Sequence, residues 1–284
     1  MYLSNLLIDV GTDPDRPRPG RLWLRNVYRV HQRLCMAFPK AEQKDADKQF
    51  LTPYNPNGFQ VARDGEHNFL FRIDHVVSPD PRRSGGCAMI LVQSPREPDW
   101  DYAFGLDRER TDLETGRPIG NAGHLLAAPP QVKSVNLRYD AGTKLHFKTK
   151  VNATRRVRGG PFDGKRVSIG RDPAAILAWL ERKGAGSCGD GTGGFRIVFT
   201  KEKDKERPNA DCDPEWDANW EIETGVQRAS KGNTEEEREQ LVHAWAAIDG
   251  ILEVTAPDLF EQTLASGIGS AKAFGFGLLS VAPR

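Results

Sequence analysis

The run KLHFKTKVN, residues 144–152, alternates strictly between two kinds of side chain. Apolar or small residues occupy the odd positions from 145 to 151, and basic or polar residues occupy the even positions from 144 to 152. Successive side chains of a β-strand point to opposite faces, so a period of two separates these two sets completely. The run therefore predicts a strand that buries one face against a core and presents the other, basic face outward.

The first half of the chain supplies a series of elements before this strand. A polar segment at residues 40–66 is expected to be an elaborated connection, and the turn at residues 140–142 marks a boundary. The expected elements are a strand about Tyr2 to Ile8, a helix about Arg25 to Phe38, strands at Asn68–Val77 and Cys87–Ser94, a short helix near Pro98–Ala103 and a last strand within residues 123–137.

The second half repeats the same order. The charged segment at residues 201–240 is expected to be a long, weakly ordered insertion. The expected elements are the strand at residues 144–152, a helix at Asp172–Lys183, a strand at Gly194–Thr200, a longer strand or bent pair at His243–Thr255, a helix at Pro257–Ser266 and a closing strand at Phe276–Val281.

Each half thus has the order β-α-β-β-α-β, which is typical of the ferredoxin-like arrangement. The predicted fold class is α+β, with two tandem ferredoxin-like domains built on antiparallel sheets. The predicted domains are residues 1–140, with the helix that carries Tyr28 and His31, and residues 141–284, with the basic strand and a glycine-rich loop.

The helix near residue 30 carries a candidate catalytic pair. Tyr28 and His31 are three residues apart, so at ~100° per residue they lie about 60° from each other beside an apolar stripe. RNA can be cut by its own 2′-hydroxyl if a base removes the proton and an acid protonates the leaving oxygen, and histidine can do either near neutral pH. Spacing alone favours the simpler alternative, in which both residues only pack against the core.

Positive charge is local in this chain. The 40 Lys and Arg residues nearly balance 39 Asp and Glu residues, so the net charge of +1 does not indicate nucleic-acid binding. The basic strand, however, contains no acid and is followed by further cations at residues 155–171. This stretch is a candidate phosphate-binding surface, although an ordinary solvated sheet face has the same pattern. Arg25, Arg29 and Arg33 can meet phosphates or water.

The C-terminal segment GIGSAKAFGFG places Gly267, Gly269, Gly275 and Gly277 around Lys272. Glycines let the main chain approach a phosphate closely and present its N–H groups. The loop follows a helix and opens a strand, whereas GxGxxG nucleotide loops do the reverse, so a mononucleotide site is disfavoured. A tight helix-to-strand connection is expected to need only one or two of these glycines.

Neither a metal site nor a membrane span is indicated. The four cysteines show no CxxC spacing, and the six histidines form no HxH or HExxH pattern, so no metal and no cofactor is expected. No run approaches the ~18 consecutive apolar residues of a membrane span, and the opening segment is interpreted as a strand of a cytoplasmic protein.

Seven segments in order resemble the CasE family of type I-E CRISPR systems: MYLSNLL, NVYRVHQRL, LVQSPREPDW, LHFKTKVNATRRV, GKRVSI, ILAWLERKG and GILEVTAPDLFEQTLASGIGSAKAFGFGLLSV. The resemblance implies a tandem ferredoxin-like endoribonuclease that binds the CRISPR repeat stem-loop, cuts precursor RNA at the base of the stem, and stays bound to the guide RNA with other subunits of the Cascade complex.

The resemblance also implies residue roles. Tyr28 and His31 correspond to the catalytic residues, which act without metal and leave a 2′,3′-cyclic phosphate or 3′-phosphate and a 5′-hydroxyl. The expected RNA-binding residues are Arg25, Arg29, Arg33, Lys148, Lys150, Asn152, Arg155, Arg156, Gly267, Gly269, Lys272, Gly275 and Gly277.

The chain departs from the family pattern at three positions. Val27 and Ala153 stand where the family has proline, and Gln32 stands where it has arginine. The contact expected from that arginine is either missing or made by Arg29 or Arg33. Two alternatives to the nuclease stay open: a non-cleaving RNA-binding architectural subunit, and a two-domain protein whose basic strand meets no RNA.

Overall fold

The computed structural model describes residues 1–11, 19–46, 69–76, 86–105, 125–161, 163–187, 189, 191–198, 221–231 and 239–284. The chain forms two compact units, each described below by itself. The first comprises Met1–Asn136, Arg228–Val242 and Ala273–Gly275, and the second comprises Leu137–Gln227, His243–Lys272 and Phe276–Arg284. The division of the chain into domains at residue 140 stays a prediction.

The first unit is built on a four-stranded antiparallel sheet in which the fourth strand pairs with the first, the first with the third, and the third with the second. This is the ferredoxin-like strand order, and the chain crosses between strands through helices. The elements are β1 (Tyr2–Asp9), α1 (Pro19–Leu24), α2 (Val27–Cys35), α3 (Ala41–Ala46), β2 (Leu70–Val76), β3 (Cys87–Ser94), α4 (Trp100–Phe104) and β4 (Gln131–Ser134).

The core of the first unit lies on one face of this sheet. Opposite residues such as Leu6 and Ile90 are fully buried, and Phe71 lies beside Val92 on the same face. The apolar stripe of α2 is also buried, as the three-and-four spacing predicts. The helix expected from Arg25 to Phe38 forms as the shorter α2, which begins where the Asn26 side chain accepts a hydrogen bond from the Tyr28 N–H. A separate helix that was not predicted, α1, precedes it.

The second unit repeats this strand order on a second antiparallel sheet, in which its last strand pairs with its first, its first with a long strand that ends at Val254, and that strand with a short one at Phe195–Ile197. One further strand pairs with the long strand, and two short strands, Thr154–Arg156 and Arg166–Ser168, form a separate ribbon. The ferredoxin-like fold class is therefore confirmed. From residue 144 onward the elements of the chain are β5 (Lys144–Val151), β6 (Thr154–Arg156), β7 (Arg166–Ser168), α5 (Pro173–Gly184), β8 (Phe195–Ile197), β9 (Glu221–Lys231), β10 (Glu239–Val254), α6 (Pro257–Ser266), a 3₁₀ turn (Lys272–Phe274) and β11 (Leu279–Pro283).

The expectation of weak order throughout residues 201–240 was wrong for its second half. Residues 221–231 form β9, and β10 already begins at Glu239. Charged neighbours obscure a β-branched alternation of Ile222, Thr224 and Val226, which suits a strand. Residues 201–220 and 232–238 lie outside the described residues, and so do residues 47–66 of the expected connection.

In the described part of the chain, no helix is long and apolar enough to cross a membrane.

Candidate active site

The Asn26 cap starts α2 so that Tyr28 and His31 lie side by side on one flank. Their ring centroids are 6.2 Å apart, with an interplanar angle of 41°. Both side chains are half-buried, while Val27 and Val30 of the same helix are buried in the core. The pair thus lies at the edge of the apolar stripe, where a substrate can reach side chains that the core holds in place.

His31 lies among aromatic rings and a thiol. Its ring is nearly parallel to that of Phe71, with centroids 6.2 Å apart and an angle of 14°, and the Phe69 centroid lies 5.4 Å away. Cys35 Sγ lies 3.6 Å from Nε2 and 4.0 Å from Nδ1. Burial in these surroundings lowers the pKa of His31 to about 4, because an apolar environment disfavours the imidazolium. The ring is therefore neutral at pH 7.

Tyr28 contacts a part of the glycine loop that belongs to the first unit. Its ring stacks on Phe274, with centroids 6.0 Å apart and an angle of 29°. The next residue, Gly275, has a φ of +78°, and a Cβ there would lie 3.2 Å from Cε2 of Phe71. Phe274 and Phe71 thus complete the surroundings of the pair. Sequence reasoning missed both, and the alternation in FLFR at residues 69–72 was the available signal for Phe69 and Phe71.

The three arginines near the pair have different surroundings. Arg25 and Arg29 are exposed. Arg33 is half-buried, and its Nη1 donates a hydrogen bond of 3.1 Å to the carbonyl oxygen of Ala103. Burial also lowers the pKa of the Arg33 guanidinium. Arg29 and Arg33 each lie two positions from His31 along the helix, which places them about 160° away from it around the axis. Arg33 thus contacts the α4 segment rather than the pair.

The basic face of β5 carries acids from its neighbour. Lys144 lies opposite Glu253 and Lys148 opposite Asp249 in the ladder with β10, and opposite residues share a face. The run itself has no acid, but β10 supplies two acids to the same face of the sheet. Lys150 Nζ lies 4.4 Å from the ring centroid of Trp245, within cation–π range.

Asn152 and Lys272 both make hydrogen bonds that hold the fold. The Asn152 side chain is almost fully buried, donates to the carbonyl oxygen of Ala244 at 2.6 Å and accepts from the Ser270 hydroxyl at 2.8 Å. Lys272 Nζ donates to the carbonyl oxygen of Ser266 at 2.6 Å. Of these predicted RNA contacts, Asn152 is therefore a buried link between β5 and the glycine loop, and Lys272 ties the loop to the end of α6.

The four loop glycines have a shared backbone property. Gly267, Gly269, Gly275 and Gly277 all have positive φ. At Gly277 an added Cβ would lie 2.6 Å from the Ile268 carbonyl oxygen, and the Gly277 N–H also donates to the Lys150 carbonyl oxygen at 2.7 Å. The tight connection therefore accounts for all four glycines, and the expectation that it needs only one or two was wrong.

Exposed cations concentrate on the β6–β7 ribbon. Arg155 and Arg156 are both exposed, and Arg156 lies directly opposite Arg166. Neither strand of the ribbon contains an acidic residue. Arg155 also lines a cavity of about 350 Å³ with Ser168 and with Arg182 of α5. This ribbon, rather than the β5 face, is where like charges are placed together, as a phosphate-binding surface requires.

The two sheets define a tandem ferredoxin-like protein. Tyr28 beside the neutral His31, together with the arginine-rich ribbon, makes a candidate nuclease site. Within the ranges that the structure describes, no group of three or more His, Cys, Asp or Glu side chains is arranged to hold a metal ion. Independence from metal stays a prediction.

Comparison with known proteins gives the family. A family model described as "CRISPR associated protein" matches residues 1–283. The chain is 27% identical over 284 residues to the CRISPR-associated endoribonuclease Cse3 of Thermus thermophilus, and 23% identical over 291 residues to the CRISPR system Cascade subunit CasE of Escherichia coli strain K12; each match covers 100% of both proteins. The chain belongs to the CRISPR-associated protein family, and the resemblance to CasE is confirmed.

Two solved structures match the fold over the full length of this chain. CRISPR endoribonuclease Cse3 bound to a 19-nt RNA matches with a TM-score of 0.60 and 25% identity, and the match covers 100% of both chains. The Cas6e protein of E. coli strain K-12 matches with a TM-score of 0.50 and 19% identity, again over 100% of both chains, and this likeness bears on the fold alone.

Proposed function

We propose that this chain is a metal-independent endoribonuclease that cuts precursor CRISPR RNA at the base of the repeat stem, with Tyr28 and His31 as its catalytic pair. The observation that carries the proposal is the placement of a neutral histidine beside a tyrosine on α2. It is joined by full-length similarity to Cse3, which is named an endoribonuclease and has been solved with bound RNA.

The charge state of His31 sets the direction of the first proton transfer. Because burial lowers its pKa to about 4, His31 enters the reaction neutral and accepts the proton of the 2′-hydroxyl. The 2′-oxygen then attacks phosphorus while the bond to the 5′-oxygen breaks. A phosphate beside the ring favours the imidazolium and raises its pKa, which strengthens the base when RNA is bound. In this proposal the Tyr28 hydroxyl donates a hydrogen bond to the phosphate or to the leaving 5′-oxygen, and that oxygen takes up a proton from Tyr28 or from solvent to become the 5′-hydroxyl.

RNA binding is proposed to centre on the β6–β7 ribbon, through Arg155 and Arg156. Exposed Arg25, Arg29 and Lys148 add to the positive surface. The contributions of Arg33, Lys150, Asn152, Lys272 and the loop glycines are proposed to come through the packing contacts described above. After cutting, the chain keeps the guide RNA and joins other Cascade subunits; its E. coli relative is named a Cascade subunit. We also propose a cytoplasmic location, where the transcripts are made.

A non-cleaving RNA-binding subunit is the second candidate, and one observation favours it. The His31 ring is enclosed by Phe69, Phe71 and Cys35, which is also how a histidine that only packs would be placed. A histidine of this kind would be required for stability and not for chemistry.

The test compares His31→Ala with Gln32→Ala, a neighbour on the same helix, on a repeat hairpin RNA. The nuclease proposal predicts that His31→Ala binds the RNA with unchanged affinity and forms no product, while Gln32→Ala cleaves as the wild type does. A 2′-deoxy nucleotide upstream of the cut must stop cleavage, and a chelator must not. A wild-type protein that binds the RNA and forms no product would support the architectural role instead, and product from His31→Ala at the wild-type rate would remove His31 from the chemistry.

A further inference from the structure

The glycine loop contacts Tyr28 directly, and it also contacts Phe71, the ring that lies against His31. Phe274 stacks on Tyr28 at 6.0 Å, and Gly275 packs against Phe71, whose ring is nearly parallel to that of His31. These contacts lie within the first unit, to which residues 273–275 belong. Two adjacent residues therefore reach both members of the pair: Phe274 contacts Tyr28 directly, and Gly275 reaches His31 through the ring of Phe71.

The local backbone holds this segment in a defined conformation. Residues 272–274 form a 3₁₀ turn that follows Ala271, a non-glycine residue at a φ of +57°. Gly275 then turns the chain immediately after Phe274 at a φ of +78°. The Phe274 side chain is 9% exposed, so its ring is fixed by packing rather than left in solvent. A fixed ring can restrict the plane of the tyrosine that stacks on it.

The contact of Gly275 with Phe71 has almost no spare room. A Cβ at residue 275 would lie 3.2 Å from Cε2 of Phe71, and Phe71 is itself fully buried. The Phe71 ring can therefore yield only by moving toward its other neighbours, among them His31. The absence of a side chain at residue 275 lets the Phe71 ring keep its nearly parallel position against the imidazole.

We propose that Phe274 is a positioning residue for Tyr28, and that Gly275 positions His31 through Phe71. The inference rests on the proposed function. It assigns this part of the glycine loop to the chemical step, whereas contacts of a glycine loop with RNA would act on affinity. The two roles separate in kinetics, because a displaced catalytic group slows the bound complex and a lost RNA contact raises Kd.

The experiment measures two quantities for each variant. The single-turnover cleavage rate is measured with enzyme saturating over a repeat hairpin RNA, and Kd is measured with the 2′-deoxy form that cannot be cut. Phe274→Leu keeps an apolar side chain but removes the ring, whereas Phe274→Tyr keeps an aromatic ring. A buried phenylalanine of the second unit, Phe260→Leu, is the matched control for loss of aromatic packing.

The expected result is a fall of about 10- to 100-fold in the saturated cleavage rate of Phe274→Leu, with Kd within about 3-fold of wild type. Phe274→Tyr keeps most of the wild-type cleavage rate, and Phe260→Leu keeps all of it. Gly275→Ala shows the same split and also shifts the pH–rate profile, because it displaces Phe71 against His31. If Phe274→Leu does not fold, Gly275→Ala and Phe274→Tyr decide the matter, the first slow and the second near the wild-type rate.

Two results would overturn the inference. One is a raised Kd with an unchanged saturated rate in the Phe274 and Gly275 variants, which would make the segment an RNA contact. The other is no change in either quantity. Failure of the proposed function is distinct, since it would appear as a wild-type protein that binds the RNA and never cuts it.

Discussion

The low pKa of His31 has a consequence for stability that requires no RNA. In an unfolded chain the histidine has a pKa of 6.5, and in the fold its pKa is about 4. Between these two values the unfolded chain binds more protons than the folded one, so stability must fall as the pH falls. Going from pH 7 to pH 5, the full shift corresponds to about 2 kcal/mol, and partial exposure of the side chain reduces this to about 1–2 kcal/mol.

The perturbation that isolates this effect is His31→Gln. Glutamine does not titrate, so the variant should lose about 1–2 kcal/mol less stability between pH 7 and pH 5 than the wild type loses. The assay is urea unfolding at both pH values, with the His31 titration followed by NMR in the wild type. Gln32→Ala serves as a control because it changes no titratable group. Equal pH dependence in wild type and His31→Gln, or a His31 titration midpoint near 6.5, would refute the burial argument.

Three further changes test other parts of the site. Gly277→Ala should destabilise the fold by about 2 kcal/mol or more in urea unfolding, because its Cβ would lie 2.6 Å from the Ile268 carbonyl oxygen; unchanged stability would contradict the contact. Arg155→Ala should weaken RNA binding and reduce the salt slope of binding by about 1; an unchanged slope would remove Arg155 from the phosphate contacts. Arg33→Ala should cost about 1–3 kcal/mol of stability through its bond to Ala103 and leave the RNA Kd unchanged, whereas a raised Kd would restore Arg33 to the RNA surface.

Local patterns predicted most of the fold. The alternation at residues 144–152 and the three-and-four spacing of the α2 stripe are short-range signals, and each fixes which face is buried. Helix α1 was not predicted, and α2 begins two residues later than expected, although the Asn26 cap was visible in the sequence. Strand β9 was not predicted, because its charged residues are typical of an insertion and the strand forms by pairing with β10.

The surroundings of the site were less predictable, for a physical reason. Helical spacing places Tyr28 beside His31, but the rings that enclose them come from β2 and from residue 274, far along the chain. Likewise, the acids opposite Lys144 and Lys148 are set by the register of β10 with β5. Such contacts depend on tertiary packing, which no local pattern encodes. The sequence could therefore predict the pair, and not the lowered pKa of His31.

The most direct test of the central claim is the chemistry of the cut ends. A repeat hairpin RNA is cleaved in the presence of a chelator, and both fragments are identified by mass spectrometry. Attack by the 2′-hydroxyl with His31 as base predicts a 2′,3′-cyclic phosphate, or the 3′-phosphate formed from it, on the upstream fragment and a 5′-hydroxyl on the downstream fragment. A 3′-hydroxyl with a 5′-phosphate would mean that water or another outside nucleophile attacks, and would contradict the account.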